Sequence, residues 1–178
     1  MMSPIPLTNK AFQRIIQFYL FECPVRTYRR VTKEMPGRTE EQPHPKYNFN
    51  FKKVSKRGIT FADRGLDGAK LNTLRAAMKR VANVTMEAVV GEVVAPEAEE
   101  YIVIKKNDQN ISITEGYFYC IRNALAHGDF DVEKGVYELR NRSDETIKGL
   151  ARLKEKTLLK WIELVDMTAE ELKQVGRS

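Results

Sequence analysis

A chain of 178 residues with 42% apolar and 30% charged residues can close one hydrophobic core under a well-solvated surface. The formal net charge of +6 and a pI near 9.3 favour an anionic partner, nucleic acid first, although such a balance is common among ordinary proteins. Two cysteines, Cys23 and Cys120, and two histidines, His44 and His127, exclude a disulfide framework and a zinc-type cluster, and no apolar run approaches the roughly 18 residues of a membrane span. Met1–Leu7 lacks a charged region followed by an apolar stretch, so no signal peptide is expected, and the chain reads as cytoplasmic with no membrane partner.

In chain order, a first helix is expected from Thr8 or Asn9, with Phe12, Ile15, Ile16, Tyr19 and Cys23 on one face and Pro24 as its end or kink. Val25–Lys33, with Arg26, Arg29, Arg30 and Lys33 beside Tyr28, reads as a second helical piece. From Glu34 to Leu66 the periodicity disappears among prolines and glycines. Within it Tyr47–Phe51 alternates like a strand, with Ile59–Phe61 as its possible partner across Lys52–Gly58. A second long helix is expected from Asp67 or Gly68 to Val90, burying Leu71, Leu74, Met78, Val81, Thr85 and Ala88. Tyr101–Ile104 is too short for a helix and reads as a strand or a buried connector.

The third helix carries its own punctuation. Ser112-Ile113-Thr114-Glu115 is a capping box, and Gly128 is a left-handed stop. Asp131-Val132 and Val136–Leu139 then form a small hairpin around Lys134-Gly135. A fourth helix is expected from Asp144, with Ile147, Leu150, Leu158, Trp161, Ile162 and Val165 at apolar spacing and Lys154 as the one exception. Thr168–Glu171 is a second capping box that opens a tail helix. Four amphipathic helices bury their stripes most simply as a bundle. The expected fold is therefore mainly α, an up-and-down four-helix bundle with small β-hairpin decorations. It forms a single domain over residues 1–178, with a loop or hairpin insertion at about 34–66.

On a helical wheel at about 100° per residue, Ile113, Tyr117, Cys120, Ile121 and Ala124 of the third helix share a core-facing stripe. His127 falls just beyond one edge, beside Asn123, and Arg122 lies roughly 140° round from His127. The polar face is thus free to meet a substrate or a second copy of the chain. A neutral imidazole can take a proton from a ribose 2′-hydroxyl, and a guanidinium can hold a phosphate by two parallel hydrogen bonds. That pair suits RNA cleavage without a metal or any other cofactor. Because Arg122 and His127 point in different directions, a symmetric homodimer pairing two copies of this helix would assemble the site.

Arg122-Asn123-Ala124-Leu125-Ala126-His127-Gly128 resembles the motif of HEPN-type ribonucleases: an arginine, a polar residue, a short spacer and a histidine at the end of a bundle helix. The resemblance is closest over Tyr117–Val132. It implies a HEPN-like four-helix core that dimerises, and a metal-independent endoribonuclease that leaves a 2′,3′-cyclic phosphate, of the kind found in toxin–antitoxin and anti-phage systems. On that basis Arg122 binds or polarises phosphate, His127 is the general base or acid, and Asn123 positions them, with an antitoxin protein as a possible further partner. One branch of the family has a tyrosine two residues after the histidine; here that position is Asp129. Arg26, Arg29, Arg30, Lys52 and Lys53, with Tyr119 as a stacking surface, are candidate RNA contacts.

The alternatives are structural. His127 can serve only as a favourable charge at a helix C-terminus, Arg122 can pair with Glu115 or Asp129, and the basic runs can be a solvated surface. The whole chain can also be a catalytically inactive HEPN-like module that binds RNA or protein, or a helical bundle unrelated to the family.

Overall fold

The structure is a computed structural model that describes residues 9–25, 27–30, 54–57, 61, 63–66, 68–81, 97–105, 112–143 and 145–175. The chain divides into two units, one of residues 26–58 and one of residues 1–25 and 59–178.

In the smaller unit, β1 (Thr27–Arg30) pairs antiparallel with β2 (Val54–Arg57), with Thr27 opposite Arg57 and Arg30 opposite Val54. The second helical piece expected around Val25–Lys33 is therefore a strand. The β-branched and aromatic Thr27 and Tyr28 suit a pleated backbone better than a helix, where they lose side-chain freedom. The expected turn Lys52–Gly58 holds β2, and the strand expected over Tyr47–Phe51 lies outside the described residues, as do Ile59 and Thr60.

The larger unit opens with α1 (Lys10–Gln17), capped by Asn9, whose side chain accepts a hydrogen bond from the Phe12 amide at 3.1 Å. The helix widens into a π-turn over Phe18–Glu22, closed by the Cys23 amide donating to the Phe18 carbonyl five residues back at 2.8 Å. This wider turn lets the consecutive Phe18 and Tyr19 both enter the core. Pro24 follows directly, as expected. α2 (Gly68–Val81) buries Leu74 and Met78; residues 82–90 of the longer helix expected here lie outside the described residues.

The expected mainly α four-helix bundle does not form. The unit is mixed α/β, with a four-stranded antiparallel sheet in the order β3-β6-β5-β4. Its strands are β3 (Tyr101–Ile104), β4 (Phe130–Glu133), β5 (Val136–Ser143) and β6 (Thr146–Lys154), and α3 (Ile113–His127) lies in sequence between the first two. The decisive segment is β6, which the helical spacing of Ile147, Leu150 and Lys154 assigned to the start of the fourth helix. Its buried positions are instead Gly149, Ala151 and Leu153, a period of two. Gly149 would cost a helix about 1 kcal/mol relative to alanine, and as a strand the segment completes two ladders, with β5 and β3. The fourth helix, α4 (Glu155–Asp166), begins only after it and buries Leu158, Trp161, Ile162, Leu164 and Val165. The carboxylate of Glu100 covers the α4 N-terminus, accepting from the Lys154 amide at 3.0 Å and the Thr157 hydroxyl at 2.6 Å.

Strands β4 and β5 form the expected hairpin, turning at Lys134 and Gly135, both at positive φ (52° and 75°) as a two-residue turn of primed type requires. The sheet packs one face on α3, where Tyr137, Leu139 and Ala151 are buried, while Glu138 and Arg152 stay exposed and pair with each other. On its other flank α3 meets the π-turn through Phe118, whose ring lies about 6 Å from those of Phe18 and Tyr19. α1 and α2 pack on α4. The α1–α4 contact is clasped by Arg14, which bridges Glu22 at 2.9 Å and Asp166 at 2.6 Å. α5 (Ala169–Val175) starts at a full capping box, in which Thr168 and Glu171 each bond the other's backbone amide. Among the described residues no helix is long and apolar enough to cross a membrane.

Candidate functional site

The helix that carries the motif is fixed at both ends by its own sequence. Ser112 accepts a hydrogen bond from the Glu115 amide at 3.2 Å, and Gly128 ends the helix at φ 68°, with its amide bonded to the last turn and the Asp129 amide bonded to the Ala124 carbonyl at 2.9 Å. Between these caps α3 buries Tyr117, Phe118, Cys120, Ile121, Ala124 and Leu125. Ile113, expected in the core stripe, is 52% exposed at the first position of the helix. Tyr119, Ala126 and His127 form the exposed strip, flanked by the half-buried Arg122 and Asn123. The polar face expected from the helical wheel is therefore present.

The two principal candidates lie at opposite edges of that strip. Arg122 borders the π-turn, where its positive charge acts on the Cys23 thiol; burial nevertheless dominates and pushes that thiol up. Arg122 makes no ion pair among the described residues. Asp129, one of the two acids offered as its partner, is instead engaged by Arg140 at 2.9 Å and Arg142 at 3.0 Å. Glu115, the other, is buried.

His127 borders the sheet. It opens on a shallow pocket of about 670 Å³ lined by His127, Gly128, Asp129, Arg142 and Ser143. Asn123, one turn earlier on the same edge, donates its side-chain amide to Oδ1 of Asn141 at 3.3 Å, and Asn141 is 7% exposed. This contact ties the helix to β5 beside the point where the β5–β6 register shifts, between Asn141 and Arg142. Bulges of this kind raise local twist and re-aim side chains at the rim of a sheet.

The structure thus brings His127 and Asn123 to one edge and leaves Arg122 on the other. It adds three features that the sequence reading did not contain: Asp129 as the ion-pair partner of strand arginines, together with Arg142 and Ser143. A signal for the first two exists in the chain. Asp129 and Asp131 alternate on one leg of the hairpin, Arg140 and Arg142 on the other, and Arg140 also engages Asp131. The expected hairpin, Asp131-Val132 with Val136–Leu139, leaves out Asp129, Arg140 and Arg142 and so hides that pattern.

The remaining candidates divide between the two units. Tyr119 is 40% exposed on α3. Arg29 and Arg30 lie on β1 of the smaller unit, while Arg26, Lys52, Lys53 and His44 lie outside the described residues. Cys23 and Cys120 are buried and unpaired, and burial pushes the Cys120 thiol up to about 12, so it is not a nucleophile near neutral pH. Among the described residues no group of three or more His, Cys, Asp or Glu side chains is placed to hold a metal ion. No protein-family model, curated protein or solved structure matches the chain.

Proposed function

We propose that the protein is a metal-independent endoribonuclease of HEPN type, working in the cytoplasm as a toxin or defence effector and acting as a homodimer through α3. The observation that carries this reading is His127, an exposed imidazole held at a capped helix end beside a pocket containing a guanidinium. Its ring makes no hydrogen bond among the described residues, so both nitrogens are available for proton transfer.

In the reaction, His127 takes the proton of a ribose 2′-hydroxyl as that oxygen attacks the adjacent phosphorus. The 2′-oxygen–phosphorus bond forms, the bond from phosphorus to the 5′-oxygen breaks, and the departing oxygen takes a proton, leaving a 2′,3′-cyclic phosphate and a 5′-hydroxyl. In a dimer the second His127 supplies that proton, and the second Arg122 brings positive charge to the phosphate. Tyr119 and Ala126, exposed between Arg122 and His127, are the surface through which two copies of α3 meet.

RNA incubated with the protein in chelator should give fragments ending in 2′,3′-cyclic phosphate, and His127→Ala should abolish them. A requirement for added magnesium, or equal cleavage by the variant, rejects the mechanism. In expressing cells, wild type should arrest growth and His127→Ala should not; an antitoxin partner would relieve the arrest.

A second reading, a non-catalytic module that binds RNA or protein, is favoured by one observation: within a single copy Arg122 does not line the His127 pocket. It predicts binding that survives His127→Ala, with no cleavage by either form.

A further inference from the structure

The pocket beside His127 already contains a guanidinium from the same chain, and that group forms an ion pair with Asp129 on its Nε side. Arg142 engages Asp129 through Nε, at 3.0 Å from Oδ2. Among the described residues no second acid pairs with Arg142, and its side chain is 48% exposed. Asp129 is itself fixed, because its other oxygen accepts from Nε of Arg140 at 2.9 Å. Arg140 is anchored in turn: its backbone amide donates to the Asp129 carbonyl at 2.9 Å, and Nη2 reaches Asp131.

The backbone supports the same arrangement. Gly128 ends the helix and turns the chain between His127 and Asp129, and Asn123–Asn141 clamps the helix to β5 one residue before Arg142. The register shift falls between Asn141 and Arg142, and Ser143 completes the rim with a hydroxyl.

We infer that Arg142, oriented by Asp129, is the phosphate-binding cation of the His127 pocket, with Ser143 beside it. The inference rests on the ribonuclease reading only for the identity of the phosphate, an RNA phosphodiester. The site itself is a cis pairing of imidazole and guanidinium that needs no second copy. An arginine paired with an acid on its Nε side can offer Nη1 and Nη2 as the fork that matches two phosphate oxygens. Asp129 pairs with the Nε side of that group and is a positioning residue.

The test separates the site from the reaction. Inorganic phosphate is titrated into the full-length protein in chelator at fixed pH, following the imidazole proton resonances of His127, which are assigned by their loss in His127→Ala. The expected result is a saturable shift whose Kd rises about ten-fold or more in Arg142→Ala, the scale of losing charge-assisted hydrogen bonds. Arg152→Ala, which removes the same charge from the exposed Arg152–Glu138 pair of the same sheet, should leave Kd within about two-fold. Arg142→Lys keeps the charge but not the fork and should fall between, which keeps the test decisive if Arg142→Ala fails to fold.

No phosphate shift in the wild type, an unchanged Kd in Arg142→Ala, a Kd in Arg142→Lys equal to wild type, or an equal loss in Arg152→Ala overturns the inference. RNA cleavage by the same proteins reports on the other reading. Phosphate binding that depends on Arg142 without any cleavage by wild type leaves the site standing and removes the ribonuclease. Cleavage by Arg142→Ala at the wild-type rate does the reverse.

Discussion

Asn123 and His127 sit one turn apart on the same edge of α3, yet the structure assigns them opposite costs. His127 is exposed, and its replacement removes only a favourable end-of-helix interaction worth about 0.3–1 kcal/mol. Asn123 donates to the side-chain oxygen of the buried Asn141, so Asn123→Ala strands that acceptor inside the protein at a cost of about 1–3 kcal/mol. His127→Ala should therefore unfold in urea at nearly the wild-type midpoint while losing cleavage by a factor of about 10²–10⁴. Asn123→Ala should show a clearly lower midpoint and a smaller loss of rate measured well below that midpoint. Equal stability for both variants would mean that the Asn123–Asn141 contact holds nothing together. The sequence makes the identity of both residues plain, since the spacing from Arg122 to His127 is local. It does not make plain that Asn123 spends its amide on Asn141, because that partner lies on a strand eighteen residues away.

At the scale of elements, what the sequence shows best are structures closed by local chemistry. α3 starts at Ser112 and ends at Gly128, and the hairpin turns at Lys134-Gly135, as their side chains and permitted φ values demand. What it shows worst is β6, where Ile147, Leu150 and Lys154 imitate a helix and only the strands on either side reveal a ladder. Gly149 is the residue that settles the matter in space. A Cβ there would lie 2.7 Å from Sγ of Cys120 and 3.2 Å from the Val103 carbonyl oxygen, so the glycine lets α3 and β3 approach β6 together. Gly149→Ala should cost about 1–3 kcal/mol, the scale of overpacking, which outweighs the gain of about 0.5–1 kcal/mol from restricting the unfolded chain. Gly116 offers the contrast. Its added Cβ would meet only the flexible end of Ile104 at 2.5 Å, and alanine is worth about 1 kcal/mol over glycine within a helix. Gly116→Ala should accordingly be close to neutral. Urea titrations of the two variants at unchanged slope measure both effects, and a neutral Gly149→Ala would sink this account of the helix–sheet contact.

Across the whole molecule the charge is divided along the boundary between the two units. Residues 26–58 hold ten Lys and Arg against three Asp and Glu, a formal net charge of +7, so the remainder of this +6 chain carries −1. The basic runs are visible in the sequence, but their segregation is not, because it needs the boundaries that the contacts define. The unit bearing His127 thus has no net attraction for a polyanion beyond its local groups, and the field that would gather RNA belongs to the smaller unit. A variant reversing four charges there, Arg29→Glu, Arg30→Glu, Lys56→Glu and Arg57→Glu, turns the net charge of the chain from +6 to −2. Single-stranded RNA binding in the wild type should weaken linearly on a plot of log affinity against log salt, and each lost phosphate contact removes about 0.7 from that slope. The variant should lose as much as about 2.8 from it, together with most of its affinity at low salt. All four residues lie on β1 and β2, so the core of the larger unit, and with it the melting transition, should be preserved. If the slope is unchanged, the RNA is held by the larger unit alone, and the +7 of residues 26–58 serves some other purpose than gripping substrate.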